Sequence, residues 1–181
     1  MDKFIPTEVE VDIQKIFDLL GCINNSNSKT FHYGELKEYF FNFSIPASDE
    51  DISSLLHYFN KLPSDYLQFL RYTNGLKLSD ETGSELYPIK KLIEINKIFE
   101  YPKNFIIIGS CFDTEVHFLI DMLQSESKCI YVGEPIGSDF AYSLNCNFTV
   151  FLMRYISCYG SDFWSWGVDY NNNKPIKPWC Y

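Results

Sequence analysis

The arrangement best able to do chemistry is Asp113-x-Glu115-x-His117, extended by Asp121. In a β-strand alternate side chains share a face, so these groups line one side while Thr114, Val116, Phe118 and Ile120 line the other. Two carboxylates and an imidazole on one face form the donor set of a divalent metal or of an acid–base pair. The same alternation marks a half-buried antiparallel strand with one solvated face, and Asp113 can equally belong to the preceding turn. We read the row as a solvated strand face and expect no enzyme, no metal and no cofactor. A metal-dependent hydrolase built on Glu115 and His117 is the most distant alternative.

Other site chemistries find no pattern. Cys22, Cys111, Cys129, Cys146, Cys158 and Cys180 contain no C-x-x-C pair, and His32, His57 and His117 are equally scattered, so zinc spacing is absent. There is no G-x-S-x-G, no P-loop, no G-x-G-x-x-G and no H-E-x-x-H. A cysteine–histidine pair meets only in space, and nothing in the sequence selects one. Met1 to Pro6 begins no signal peptide, and no apolar run reaches membrane-spanning length. These readings predict a cytoplasmic protein with reduced thiols, in which the sequons at Asn24, Asn42 and Asn147 carry no glycan.

With 24 acidic and 15 basic residues the net charge is −9. That sign excludes binding to phosphate backbones by counterion release. It suits a basic partner protein, and it equally suits ordinary solubility. Hydrophobic residues make up 46% of the 181 positions and aromatics 18%, enough for a packed core and too much for disorder.

The elements that must carry these groups follow from periodicity. Thr7 can cap a helix over 8–20, with Ile13, Ile16, Phe17 and Leu20 inward and Gly21 ending it. A second helix is expected over Glu35–Phe43, with Leu36, Tyr39, Phe40 and Phe43 inward. Ser48-Asp49-Glu50-Asp51 is a capping box opening a helix to Asn60, with Ile52, Leu55, Leu56 and Phe59 as its stripe. The clearest stretch is Leu62 to Gly75. Pro63 suits a helix start, and Asp65 suits the positive end of the helix dipole. Tyr66, Phe69, Leu70 and Thr73 make a buried stripe, and Asn74-Gly75 stops it. These two helices are expected to pack as an αα corner.

Leu76–Gly83 reads as a polar turn, Glu85–Tyr87 as a strand and Ile89–Phe99 as a helix. The sheet is then built from Phe105–Gly109, Glu115–Asp121 and Cys129–Gly133, joined by short polar links that favour antiparallel hairpins. A last helix spans about Asn147–Tyr159, with Phe148, Phe151, Leu152, Tyr155 and Ile156 inward. Beyond it Trp164, Trp166, Tyr170, Trp179 and Tyr181 lie among turn residues. They either cover the protein's own core, the reading we favour, or anchor a partner.

In this order Leu62-Pro63-x-x-Tyr66-x-x-Phe69-Leu70…Asn74-Gly75, Leu86-Tyr87 with a helix reaching Asn96, Ile108-Gly109, a strand ending in Asp121 and Phe148-x-x-Phe151-Leu152 resemble the SUKH superfamily. The resemblance covers roughly Ser48 to Tyr159 and lies in hydrophobic punctuation. It implies an α+β fold without catalysis, and its bacterial members imply an immunity protein that neutralises a cognate toxin. Eukaryotic members imply the alternative, a regulatory scaffold of the cell-wall-synthesis type.

The expected architecture is α+β: N-terminal helices, a twisted, largely antiparallel sheet, and a C-terminal helix packed on one face. Its expected divisions are a helical extension at 1–47, the SUKH-like domain at 48–159 and an aromatic tail at 160–181 packing on that domain. The expected partner is a cognate toxin, for which a basic protein is the electrostatic match; nucleic acid and membrane are not expected. Loops and the open strand face would supply its contacts: Glu81, Glu85, Asp113, Glu115, Glu134 and Asp139.

Overall fold

The computed structural model describes residues 12–24, 28–32, 35–79, 83–99, 101–112, 115–134, 141–160, 163–165, 168–169 and 174–175. Helices α1 (Ile13–Asn24), α2 (Asp49–Phe59), α3 (Ser64–Tyr72), α4 (Ile89–Ile98) and α5 (Phe148–Ser157) accompany an eight-stranded sheet. Its strands are β1 (Ser28–His32), β2 (Glu35–Phe43), β3 (Leu76–Ser79), β4 (Glu85–Leu86), β5 (Phe105–Cys111), β6 (Val116–Asp121), β7 (Ile130–Gly133) and β8 (Tyr142–Ser143). They lie side by side in chain order, and every pair is antiparallel. The α+β class and the C-terminal helix agree with expectation. Val168–Asp169 and Lys174–Pro175 form a separate two-stranded pair.

The α3 stripe is as the spacing implied: Tyr66, Phe69 and Leu70 are fully buried and Thr73 nearly so. Tyr66 and Phe69 meet Phe148 of α5 at ring-centroid distances of 4.9 and 5.2 Å. Helix α5 turns Phe151 and Tyr155 onto Phe118 of β6, so it covers one face of the sheet. Trp164 packs on the same phenyl ring at 5.1 Å, which makes it core cover. Trp166, Tyr170, Trp179 and Tyr181 fall outside the described residues. The expected capping box is present, with Asp51 N–H donating to Ser48 Oγ and Ser48 N–H to Asp51 Oδ2.

Three expectations give way. Residues 35–43 form strand β2, not a helix. They pair with β1 on one side and β3 on the other, and the exposed Phe40 beside the buried Phe41 shows the two-residue period. Leu36, Tyr39, Phe40 and Phe43 fit a helical stripe only because a run of aromatics satisfies both periods. The supposed turn at 76–83 contains strand β3, where buried Leu76 and Leu78 flank the exposed Lys77. Helix α1 passes through Gly21 to Asn24, while its expected start at Thr7 lies outside the described residues. Helices α2 and α3 do meet, Arg71 Nε lying 3.7 Å from Asp49 Oδ1, while α3 also lies against α5 and α2 against α4. The N-terminal segment is tied to the rest by Phe17, which stacks on Tyr72 at 4.3 Å and accepts that tyrosine's hydroxyl at its carbonyl.

Candidate partner-binding surface

Within the Asp113–Asp121 row, His117 and Asp121 are buried and not on a solvated face. Strand β6 begins at Val116, and Glu115 precedes it in a turn with φ of +50°. His117, which shares Glu115's parity, is 5% exposed. Its ring lies edge-on to Phe99 at 4.6 Å and near Tyr101 at 5.8 Å. Helix α4 and the residues after it cover the face that was expected to be open, so β6 is buried on both sides. Burial pushes the His117 imidazole down to about 4, and its Nδ1 has no hydrogen-bond partner. Asp121, at the far end, accepts from Asn104 Nδ2 and from Leu123 N–H, closing the turn into β7. The buried His117 and the turn residue Glu115 thus sit in different surroundings, and among the described residues no cluster of three metal-ligating side chains exists.

The polar residues of the shared motifs are spent on backbone. Asn74 Oδ1 accepts from Ile89 N–H, supplying the cap that Pro88 cannot give α4. Gly75, at φ +101°, passes so close to Pro88 that a Cβ would meet its nitrogen at 2.7 Å. Asn96 Oδ1 accepts from Ile107 N–H, and its Nδ2 donates to the carbonyls of Ile107 and Leu92. Gly109 runs under β4, where a Cβ would clash with the Glu85 carbonyl oxygen. Asp65 accepts from Tyr66 N–H and, with its other oxygen, from the amide and hydroxyl of Thr149 in the first turn of α5. Burial raises its carboxyl while the Thr149 bonds oppose that rise.

This punctuation is shared. Residues 46–154 match the SMI1 / KNR4 family (SUKH-1). The chain belongs to this SUKH-1 family. Its relatives in Bacillus subtilis (strain 168) include the uncharacterized protein YobM, 34% identical across 92% of this chain and 94% of that one. Another is the uncharacterized protein YnaB, 28% identical across 68% of this chain and 86% of that one. In this SUKH-1 chain the motif residues fasten helices to sheet, which leaves recognition to the surface.

Three of the six expected contact residues are described, and they gather at one end of the sheet. Glu85, Ser110, His117 and Gly133 form one cross-strand row over β4, β5, β6 and β7. Glu134 follows Gly133, and Glu115 stands two residues outside His117. Glu115 and Glu134 are exposed, and neither carboxylate has a hydrogen bond or ion pair among the described residues. Glu85 differs, because it is half-buried and bonded to Lys91 Nζ at 2.5 Å, and the ammonium also lies 4.4 Å from the Tyr87 ring centre. Tyr101 donates its hydroxyl to the Glu134 carbonyl, and its phenol is pushed up to about 12, chiefly by burial. Glu81, Asp113 and Asp139 lie outside the described residues. Sequence reasoning passed over Phe112, which is 80% exposed in the β5–β6 turn. Its signal was an aromatic residue directly before Asp113. No described helix is long and apolar enough to cross a membrane.

Proposed function

We propose that the protein is a non-catalytic, cytoplasmic immunity protein that binds a basic cognate toxin and blocks it by contact. What supports the reading most is how the motif side chains are used: Asp65, Asn74 and Asn96 are all engaged with backbone groups. None of the three remains for proton transfer or metal binding. The net charge of −9 and the unpaired Glu115 and Glu134 favour a cationic partner. The six carboxylates Glu81, Glu85, Asp113, Glu115, Glu134 and Asp139 are its proposed contact groups. Glu85 is the weakest of them because Lys91 already occupies it.

The test is survival. Fragments of the source genome that kill a host when expressed alone are re-expressed with this protein, and one toxic fragment should become tolerated and co-purify stoichiometrically. Glu115→Lys with Glu134→Lys should weaken that protection without moving the melting temperature. Charge complementarity chiefly sets association rate, so added salt should slow binding more than it speeds release. Rescue of no fragment, or rescue without physical association, would remove the immunity reading.

A further inference from the structure

Asn74-Gly75 is the one Asn–Gly pair in the 181 residues. In an open chain such a pair deamidates readily, because glycine has no side chain to shield its nitrogen. The Gly75 nitrogen gives up its proton through water and attacks Asn74 Cγ. An N–C bond closes a five-membered succinimide, the Cγ–Nδ2 bond breaks, and ammonia leaves carrying that proton. One water then opens the ring at either carbonyl, giving aspartate or, predominantly, isoaspartate. The fold needs both residues of this labile pair. Asn74 caps α4 by accepting from Ile89 N–H at 2.9 Å, and Gly75 holds a φ of +101° against Pro88.

In the folded chain the two reacting atoms are held apart. Gly75 N–H donates to the Thr73 carbonyl at 2.8 Å, which closes a three-residue turn with Asn74 at its centre. Asn74 has no positive φ, so the turn is the inverse γ form, with ψ of about +65°. Tetrahedral geometry at Cα then sets the Gly75 nitrogen anti to Asn74 Cβ, half a turn from the eclipsed arrangement that ring closure needs. Both neighbours are pinned. The Thr73 hydroxyl donates to the Gly75 carbonyl at 2.7 Å and accepts from Ser44 N–H at 3.1 Å. Asn74 N–H donates to the Ile45 carbonyl at 3.3 Å. Reaching the reactive rotamer means opening this turn and lifting Gly75 from its seat against Pro88.

We infer that Asn74 is a conformationally gated deamidation site: folded chains are spared, and chains that remain unfolded are converted and retired. The two products part on refolding. Aspartate keeps an acceptor oxygen for Ile89 N–H, and a carboxylate suits the N-terminus of α4. Isoaspartate instead carries the chain through Cβ and Cγ, adding one backbone atom between Thr73 and Gly75. Those two residues are held against Ser44 and Pro88 without slack, and Leu76 just beyond must pair with Phe43 and Leu86. The isoaspartyl chain therefore loses the β3 register and the α4 cap. Time spent unfolded is written into the backbone, whatever the protein's partner is.

The experiment incubates the full-length protein in mildly alkaline buffer, folded in one arm and unfolded by guanidinium in the other. Peptide mapping by mass spectrometry follows conversion at Asn74, with fragmentation that separates aspartate from isoaspartate. Conversion should be faster in the unfolded arm by about tenfold or more, because a shielded site reacts only from its open population. Once the denaturant is removed, aspartyl chains should regain the native circular dichroism and a cooperative melt, while isoaspartyl chains stay unfolded. Asn74→Asp gives the first product pure and should melt as the wild type does. Asn74→Gln, which would need a six-membered ring, should stay unconverted at that position in the unfolded arm. Equal conversion in the two arms, no conversion in the unfolded arm, or native refolding of isoaspartyl chains would overturn the inference, as would an Asn74→Asp chain unable to fold.

Discussion

Replacing Asn96 by alanine tests whether the family punctuation is a fastening device. Strand β4 pairs with β5 only at Ser110 and Gly109, after which Tyr87 N–H still reaches the Ile108 carbonyl. The chain then turns away into α4, and the N–H and C=O of Ile107 would be left without a strand on that side. Asn96 returns from the last turn of α4 and bonds both, at 2.9 and 2.8 Å. Ile107 is fully buried, so alanine at 96 strands two buried backbone groups. Each costs about 1–3 kcal/mol, and partial entry of water beside a half-buried position places the total near 3 kcal/mol. Urea unfolding should show the midpoint falling at constant slope. Asn96→Asp should be no better near neutral pH, because its second oxygen confronts two carbonyls. Its deficit should shrink as pH falls, since a protonated carboxyl can donate to Ile107. A loss under about 1 kcal/mol for the alanine variant would refute the claim that this side chain completes the sheet.

Phe69→Ala should cost about 3–5 kcal/mol in the same assay, since it empties a fully buried site against Tyr66 and Phe148. His117 has a folded-state value of about 4, below its unfolded 6.5, so the unfolded chain binds more protons between those values. Stability should therefore be lost as pH falls from about 6.5 towards 4, by roughly 2 kcal/mol after discounting for solvent near the sheet end. His117→Phe should flatten that slope, and an unchanged slope would exclude the histidine. Thiol titration of the unfolded, never-reduced protein should find all six cysteines of the sequence free. In the native state Cys129 and Cys146, both pushed up to about 12 by burial, should react far more slowly than exposed Cys22.

Helix α3 was legible because a start signal, a 3.6-residue stripe and a stop signal agree, and α5 because its stripe of Phe148, Phe151, Leu152, Tyr155 and Ile156 keeps the helical period. The run Phe105–Gly133 was legible as hairpins because its links are too short for crossovers. Strand β2 was not, because Tyr39-Phe40-Phe41 suits either period and the pairing that decides it comes from β1 and β3. The open strand face failed for a related reason. Alternation of Glu115 and His117 with apolar neighbours fixes which groups share a side, but not whether a helix later covers that side. Asn74 and Asn96 were visible as punctuation, yet their partners Ile89 and Ile107 are identifiable only once the helix has been laid on the sheet. The exposure of Phe112 was invisible because it is a property of the folded turn.

The bond from Thr149 to Asp65 joins residues 84 positions apart. At synthesis rates of about 5–20 residues per second, roughly 4–17 s separate the appearance of its two ends. From their synthesis until α5 follows, the apolar side of α3 and the Phe118 side of β6 have no lid, because α5 supplies it. Folding on the ribosome must therefore wait for nearly the whole described chain to emerge. A product terminated before α5 would leave those aromatic surfaces bare, making it a substrate for chaperones and proteases instead of a weaker version of the finished protein. For a molecule whose proposed task is protection, only completed chains would count toward the protective pool, and the delay between message and protection would scale with translation speed.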